Sequence, residues 1–291
     1  MKLSIAFITR NRKKELLRAL NSCINGLLPD SEIIIVDNSS TDGTEDYIKE
    51  NFNFKNLKYS FETTNHGVAG GRNIAFSLCE GEYVFFLDDD AIIVGNTFWK
   101  EIIEYMDNHK SVVALSPNIQ EPATNTNLNC KNIYESENNI EILSYCGCAH
   151  ILRKDFFSAF GTLYPPNLMF GSEELYSSII AWSKNKKVVW LENVRVEHYP
   201  SIINRHSGDE RKLDFIINQY VIKKITYPVI CLPITWFIYT LHKVKHGFYG
   251  LKLNREIKKK VQMRYSTGLV ERISIKSWYS LFNKFGWKGV L

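Results

Sequence analysis

Asp88, Asp89 and Asp90 stand in a row between two apolar runs, in the stretch FFLDDDAII (85–93). Three carboxylates at the end of a buried segment lose solvation and repel one another, so they need positive charge among them. A hard divalent cation removes the conflict, and carboxylates suit Mg2+ and Mn2+. Alternate side chains of an extended chain share a side. Asp88 and Asp90 can therefore share one ligand, while Asp89 faces away, toward an Arg. The plainer alternative is a solvated acidic turn. Asp37 follows the apolar run IIIV (33–36), and a carboxylate there can accept from a nucleobase N–H. The stretch NHGVAGGRN (65–73) brings glycines that allow close backbone approach, and Arg72 can pair with a phosphate or an aspartate. It is not a P-loop, because no Gly-Lys-Ser/Thr follows.

These residues need elements to hold them. KLSIAFIT (2–9), EIIIV (32–36), residues 57–62 and residues 82–87 read as strands: short, apolar and rich in β-branched or aromatic types. Helical spacing covers 12–25, 41–51, 68–78 and 97–108, with Thr41 or Asp42 as N-cap of the second. Strand and helix alternate four times, which predicts an α/β fold with a parallel sheet and helices on both faces. Ligands of such sheets bind beyond the carboxyl ends of the strands. Thr9-Arg10-Asn11-Arg12, Asp37-Asn38 and the three aspartates all fall there. The Asn-rich residues 118–143 read as a long loop or insertion. A strand is expected over 144–153, a loop over 164–172, a helix over 173–184 and strands over 188–191 and up to 198. Long basic, aromatic helices are expected from 201 onward.

Taken together, IAFITRNR, IIIVDNSSTDGT, NHGVAGGRNIA and YVFFLDDDA, in this order and spacing, resemble the N-terminal half of the inverting family 2 glycosyltransferases. The resemblance extends to about residue 200. It implies a GT-A (Rossmann-like) catalytic domain over 1–200, with a nucleotide-sugar half at 1–117 and an acceptor half at 144–200. It also implies a nucleotide-diphosphate sugar as donor, UDP by default, and Mn2+ or Mg2+ held by a D-x-D motif. By resemblance, Thr9, Arg10 and Arg12 line the nucleoside pocket and Asp37 bonds the base. Arg72 and Asn73 lie near the diphosphate. Asp88 sits near ribose and metal, Asp90 ligates the metal, and Asp89 joins the donor-binding set.

An inverting transfer needs a base for the acceptor hydroxyl. Phe170-Gly171-Ser172-Glu173-Glu174-Leu175 resembles the family's acidic motif at a helix start, with Glu174 as base and Glu173 as its neighbour. Adjacent carboxylates raise each other's proton affinity, whereas a helix N-terminus lowers it. Acids also simply suit a first helical turn. The sequence departs from the pattern afterwards, with Tyr176 and Ile180 where relatives carry an acid and an Arg. His198 resembles the family's late His, a ligand for Mn2+ or a diphosphate contact; a lone His is otherwise more often structural. Tyr164 and Phe170 are expected as an acceptor wall, Trp182 can stack on sugar, and Trp190 and His150 are assigned to the core and sheet.

Composition limits the remaining possibilities. Of 291 residues, 45% are hydrophobic, enough for a full core, and no uninterrupted apolar run reaches spanning length. The N-terminus lacks a signal peptide, so the expected location is the cytoplasm, at the inner face of the membrane. Six scattered cysteines argue against a disulfide framework. Cys146-Gly-Cys148 with His150 has no second half for zinc, leaving structural cysteines as the alternative. Residues 201–291 carry 17 Lys/Arg against 5 Asp/Glu, and residues 1–200 carry 19 against 26. Residues 225–241, ITYPVICLPITWFIYTL, are apolar but broken by Pro228 and Pro233. With the flanking lysines they suggest peripheral contact with anionic lipid; a helical subdomain or homo-oligomer interface is the alternative. No nucleic-acid reading motif is present. The reading is transfer of a sugar to a glycan or lipid-linked acceptor in surface polysaccharide or glycoconjugate synthesis. A sugar nucleotidyltransferase or a non-catalytic nucleotide-binding scaffold are the rivals.

Overall fold

The computed structural model describes residues 1–128, 133–136, 139–168, 171–200, 208–265 and 272–290. The elements follow in chain order as β1 (Leu3–Thr9), α1 (Lys13–Cys23), β2 (Ser31–Asp37), α2 (Thr44–Asn51), β3 (Leu57–Phe61), α3 (Gly67–Leu78), β4 (Tyr83–Leu87), β5 (Ala91–Val94) and α4 (Phe98–Asn108). Next come β6 (Val112–Glu121), β7 (Thr126–Asn127), β8 (Ile133–Ser136), β9 (Asn139–Ile142), β10 (Ala149–Arg153), α5 (Lys154–Ser158), α6 (Glu173–Ser183) and β11 (Lys187–His198). Four helices close the chain: α7 (Gly208–Thr226), α8 (Leu232–Lys245), α9 (Leu251–Arg264) and α10 (Ile275–Val290).

One sheet carries the order β3-β2-β1-β4-β10-β6-β11-β9-β8. From β3 across to β11, β10 alone runs against the others. Burial on both faces explains the unbroken apolar runs of β1, β2 and β4. Alternate residues feed two cores. Ile5, Phe7, Ile33, Ile35 and Phe85 pack with Leu16 and Leu20 of α1 and Trp99 and Ile102 of α4. Ala6, Ile34, Val36, Val84 and Phe86 pack on the other face with α3 and α6. Leu213, Ile217, Ile257 and Leu281 from the C-terminal helices enter this second core, so that region shares its interior with the sheet. No helix among the described residues is long and apolar enough to cross a membrane.

Several expectations need correction. Residues 118–143 are not one loop: β6 runs on to Glu121, β7 folds back on it, and β8 with β9 forms an antiparallel hairpin at the sheet's far edge. Edge strands of polar residues satisfy their backbone by pairing while offering little apolar signal. β10 begins at Ala149, not 144, because residues 144–148 bend toward Asp88. β11 is one strand with a register break between Leu191 and Arg195, not two. α2 starts at Thr44 behind Gly43 (φ +76°), without a side-chain cap from Thr41 or Asp42.

Candidate active site

The ends of β1, β2 and β4 deliver Thr9, Asp37 and the three aspartates to one edge of the sheet. Thr9 Oγ1 donates to Asp89 Oδ2 at 2.8 Å. Arg12 Nη1 donates to Asp89 Oδ1 at 2.8 Å and to Asp90 Oδ2 at 3.3 Å. Asp89 thus faces an Arg, but residues 88–91 form a turn, with Ala91 N donating to Asp88 O at 3.1 Å, so Asp90 shares Arg12 with it and strand alternation does not set their directions. Burial pushes its carboxyl up to about 7, against the pull of Arg12. Asp90 Oδ1 lies 3.2 Å from His198 Nε2, and His198 Nδ1 lies 2.9 Å from Glu121 Oε1. Burial works against a charged imidazole, but the carboxylates of Asp90 and Asp88 prevail and raise its pKa. Pairing of β11 with β5 sets His198 opposite Ala91, and Tyr199 N donates to Asp90 O at 2.8 Å.

Arg72, only 3% exposed, joins this edge to the start of α6. Its Nη2 donates to Asp88 Oδ1 at 2.9 Å and to Gly147 O at 2.7 Å. Its Nη1 donates to Glu173 Oε1 at 2.9 Å and to Glu174 Oε1 at 3.2 Å. Glu173 is 1% exposed, and its Oε2 has no hydrogen-bond partner among the described residues. Burial and the neighbouring Glu174 push Glu173 up to about 8. Burial also raises Glu174, with Arg72 opposing. The Glu174 side chain keeps 13% of its surface open, which makes it the accessible member of the pair. Gly147 allows this approach, because a Cβ there would stand 1.9 Å from Glu174 Oε1.

The turn into α6 uses two left-handed residues, Gly171 (φ +76°) and Ser172 (φ +71°). It is held from the C-terminal region. Asn218 Nδ2 donates to Gly171 O at 2.7 Å, Arg264 Nη1 donates to Asn218 Oδ1 at 2.8 Å, and Arg264 Nη2 pairs with Asp214 Oδ1 at 2.5 Å. Sequence reasoning missed Gly147, Glu121 and Asn218, and it weighed Cys148 only as part of a zinc pair with Cys146 and set it aside as structural. A signal for Asn218 existed: Asp214 and Asn218 are polar residues four apart in a mostly apolar stretch, LDFIINQYVI.

Other expected residues sit differently. Asn73 Nδ2 donates to Tyr164 O at 2.9 Å, and Tyr164 N donates to Asn73 Oδ1 at 3.0 Å, so its amide braces a loop. Asp37 is fully covered; Ser40 N and the Tyr59 hydroxyl donate to its two oxygens at 2.8 and 2.7 Å. Arg10 is exposed at the end of β1. Tyr164 cannot wall an acceptor, because it is fully buried, with its hydroxyl 2.9 Å from that of Tyr145 and 3.1 Å from His150 Nε2. His150 stacks on Phe86. Trp182 Nε1 donates to Leu143 O at 3.2 Å with Lys284 over its ring, and Trp190 packs partly buried against the core. Phe170 lies outside the described residues.

For a metal, the structure gathers Asp88, Cys148 and His198, whose ligand atoms all lie within 4.8 Å of one another. An oxygen, a sulfur and a nitrogen donor at that spacing fit a divalent ion. The Cys146, Cys148 and His150 set is not brought together, since His150 turns to Tyr164 and the carbonyl of Cys146.

This doubly wound sheet, with acids at its strand ends and a carboxylate pair opposite, matches the GT-A fold. The chain belongs to glycosyl transferase family 2, whose family model matches residues 4–161. Poly(ribitol-phosphate) beta-N-acetylglucosaminyltransferase TarS of Staphylococcus aureus is 37% identical over 118 residues, 40% of this chain and 20% of the relative. The match thus spans about a fifth of that relative's length. A crystal structure of S. aureus TarS 1-349 in complex with UDP-GlcNAc has a TM-score of 0.61 at 22% identity, over 76% of this chain and 66% of that one. The mannosyltransferase PcManGT from Pyrobaculum calidifontis, in complex with GDP-Man and Mn2+, gives 0.63 at 15% identity over 98% and 84%. At these identities the two structures establish the shared fold.

Proposed function

We propose that the chain is a metal-dependent inverting glycosyltransferase. It moves a sugar from a nucleoside-diphosphate donor, UDP in the first instance, to a hydroxyl of a glycan or lipid-linked acceptor in surface polysaccharide or glycoconjugate synthesis. One observation carries the reading: a single buried guanidinium, Arg72, bonds Asp88 on one side and Glu173 with Glu174 on the other. Donor-side acid and base-side acids are thereby fixed against each other, as displacement at one carbon from opposite faces demands.

Glu174, partly open and with raised proton affinity, takes the proton of the acceptor hydroxyl. Burial, with Asp88 nearby, keeps that affinity high against Arg72, and Glu173 stays covered beside it. Asp88 and His198 would hold Mn2+ or Mg2+, with Asp90 positioning His198, and the ion would neutralise charge on the departing diphosphate. TarS, solved with UDP-GlcNAc, supports UDP as the nucleotide to try first. Trp236, Phe237 and Leu241 are exposed at helical spacing on α8 beside Lys243 and Lys245, which supports contact with a lipid surface on the cytoplasmic side. Family membership leaves the nucleotidyltransferase and scaffold alternatives without support.

The test is a donor panel of UDP- and GDP-sugars with Mn2+ and hydroxyl-rich glycan acceptors, followed by NMR of the product. One donor should release its nucleoside diphosphate and yield product of inverted anomeric configuration. Retained configuration, or no release from any donor, contradicts the reading.

A further inference from the structure

We propose that Cys148 is a protein ligand of the cation site, so that the site combines carboxylate, thiolate and imidazole and prefers borderline and soft divalent ions over Mg2+. The proposal rests on the metal-dependent reading above and deepens it. The carboxylate of Asp88, the sulfur of Cys148 and the ring of His198 each place a ligand atom within 4.8 Å of the other two. Bonds of about 2.0–2.3 Å put two ligands of one ion at most about 4.6 Å apart, close to this spread. Asp90, where a second carboxylate was expected, stands outside the group; its oxygens are engaged by Arg12 and His198.

The backbone fixes all three donors. Asp88 N donates to Cys148 O at 2.8 Å, one residue from the point where Ala149 pairs with Leu87. His198 is held opposite Ala91 by the pairing of β11 with β5. The sulfur therefore meets the carboxylate through adjoining strand ends and not through a mobile side chain. The ordinary alternative is a small buried cysteine that fills space. Space-filling does not account for a sulfur grouped with an imidazole and a carboxylate at ligand spacing. Coordination would release the thiol proton to solvent and leave a thiolate on the ion, with no redox change. A thiolate suits Zn2+ and Cd2+ far better than Mg2+.

Titration of Cd2+ into the full chain, read by the ultraviolet thiolate-to-cadmium charge-transfer band and by calorimetry, tests this directly. Wild type should show a band that saturates at one ion per chain. Cys146→Ser should keep it. Cys148→Ser, and Cys148→Ala as a second variant, should lose it while retaining their circular dichroism. Their affinity for Cd2+ should fall at least ~10-fold, the scale on which even outer-shell changes act, and their preference for Mn2+ over Mg2+ should narrow. Cd2+ binding without the band, or a band that survives in Cys148→Ser, overturns the thiol ligand and leaves the cation site standing. No binding of Cd2+ or Mn2+ to wild type, with or without UDP, overturns the cation site and the proposal together.

Discussion

Two clusters of buried acids face each other in this molecule, and their charges are balanced differently. On the donor side, Asp89 and Asp90 meet Arg12, and Asp90 also meets His198. On the base side, Glu173 and Glu174 share Arg72 with Asp88, and one oxygen of Glu173 has no hydrogen-bond partner among the described residues. Two acids with two basic partners come closer to balance, although burial still raises the proton affinity of Asp89. Three acids on one guanidinium leave an excess of negative charge, which holds protons tightly. The larger excess lies around Arg72, where raised proton affinity at Glu173 and Glu174 suits a general base.

The largest expected effect breaks the base side alone. Glu174→Gln should lower kcat by about 10²–10⁴-fold, the range of a lost general base, with donor affinity unchanged. A kcat near wild type would move the role to Glu173 or elsewhere. Removing the shared cation comes next. Arg72→Met leaves the buried carboxylates uncompensated and should cost about 3–5 kcal/mol in urea unfolding, the range for breaking a buried pair. A loss below about 1 kcal/mol would mean that the acids are already neutral.

Smaller effects sharpen the comparison. Asn218→Ala leaves Gly171 O without its donor and should cost about 1–3 kcal/mol. Because the same bond holds the turn into α6, kcat should fall more than KM changes; equal losses in stability without a kinetic effect would make Asn218 purely structural. The last effect is one of pH. The folded pKa of Glu173 lies above its unfolded value, so the folded state binds the extra proton between about 4.5 and about 8. Stability from this group is greatest at low pH and falls as pH rises through that window. Glu173→Gln should flatten the decline between pH 5 and 8 in thermal unfolding, and an unchanged slope would show that Glu173 is ionised throughout.

Much of the donor side was legible because its residues are contiguous. Apolar runs marked β1, β2 and β4, but the aspartates follow in a turn, so alternation did not foretell that Asp89 and Asp90 share Arg12. The base side was legible only in part. Glu173 and Glu174 stood out, but the residues that hold their surroundings come from separate elements: Arg72 from α3, Gly147 from the bend before β10, and Asn218 from α7. No local pattern announces contacts made across such separations. Tyr164 misled for the same reason: beside two prolines it reads as a surface aromatic, yet Asn73, Tyr145 and His150 draw it inside. The hairpin of β8 and β9 escaped notice because its strands are only four residues each, set within an Asn-rich stretch.

The central claim is that the strand-end acids bind a nucleoside diphosphate through a divalent ion. Calorimetric titration of UDP, dTDP and GDP into wild type and Asp88→Ala, each with and without Mn2+, tests it most directly. The account predicts that one nucleotide binds wild type in a manganese-dependent way, and that Asp88→Ala loses at least ~10-fold of that affinity while keeping its fold. Binding equally strong without the ion, or undiminished in Asp88→Ala, would contradict it.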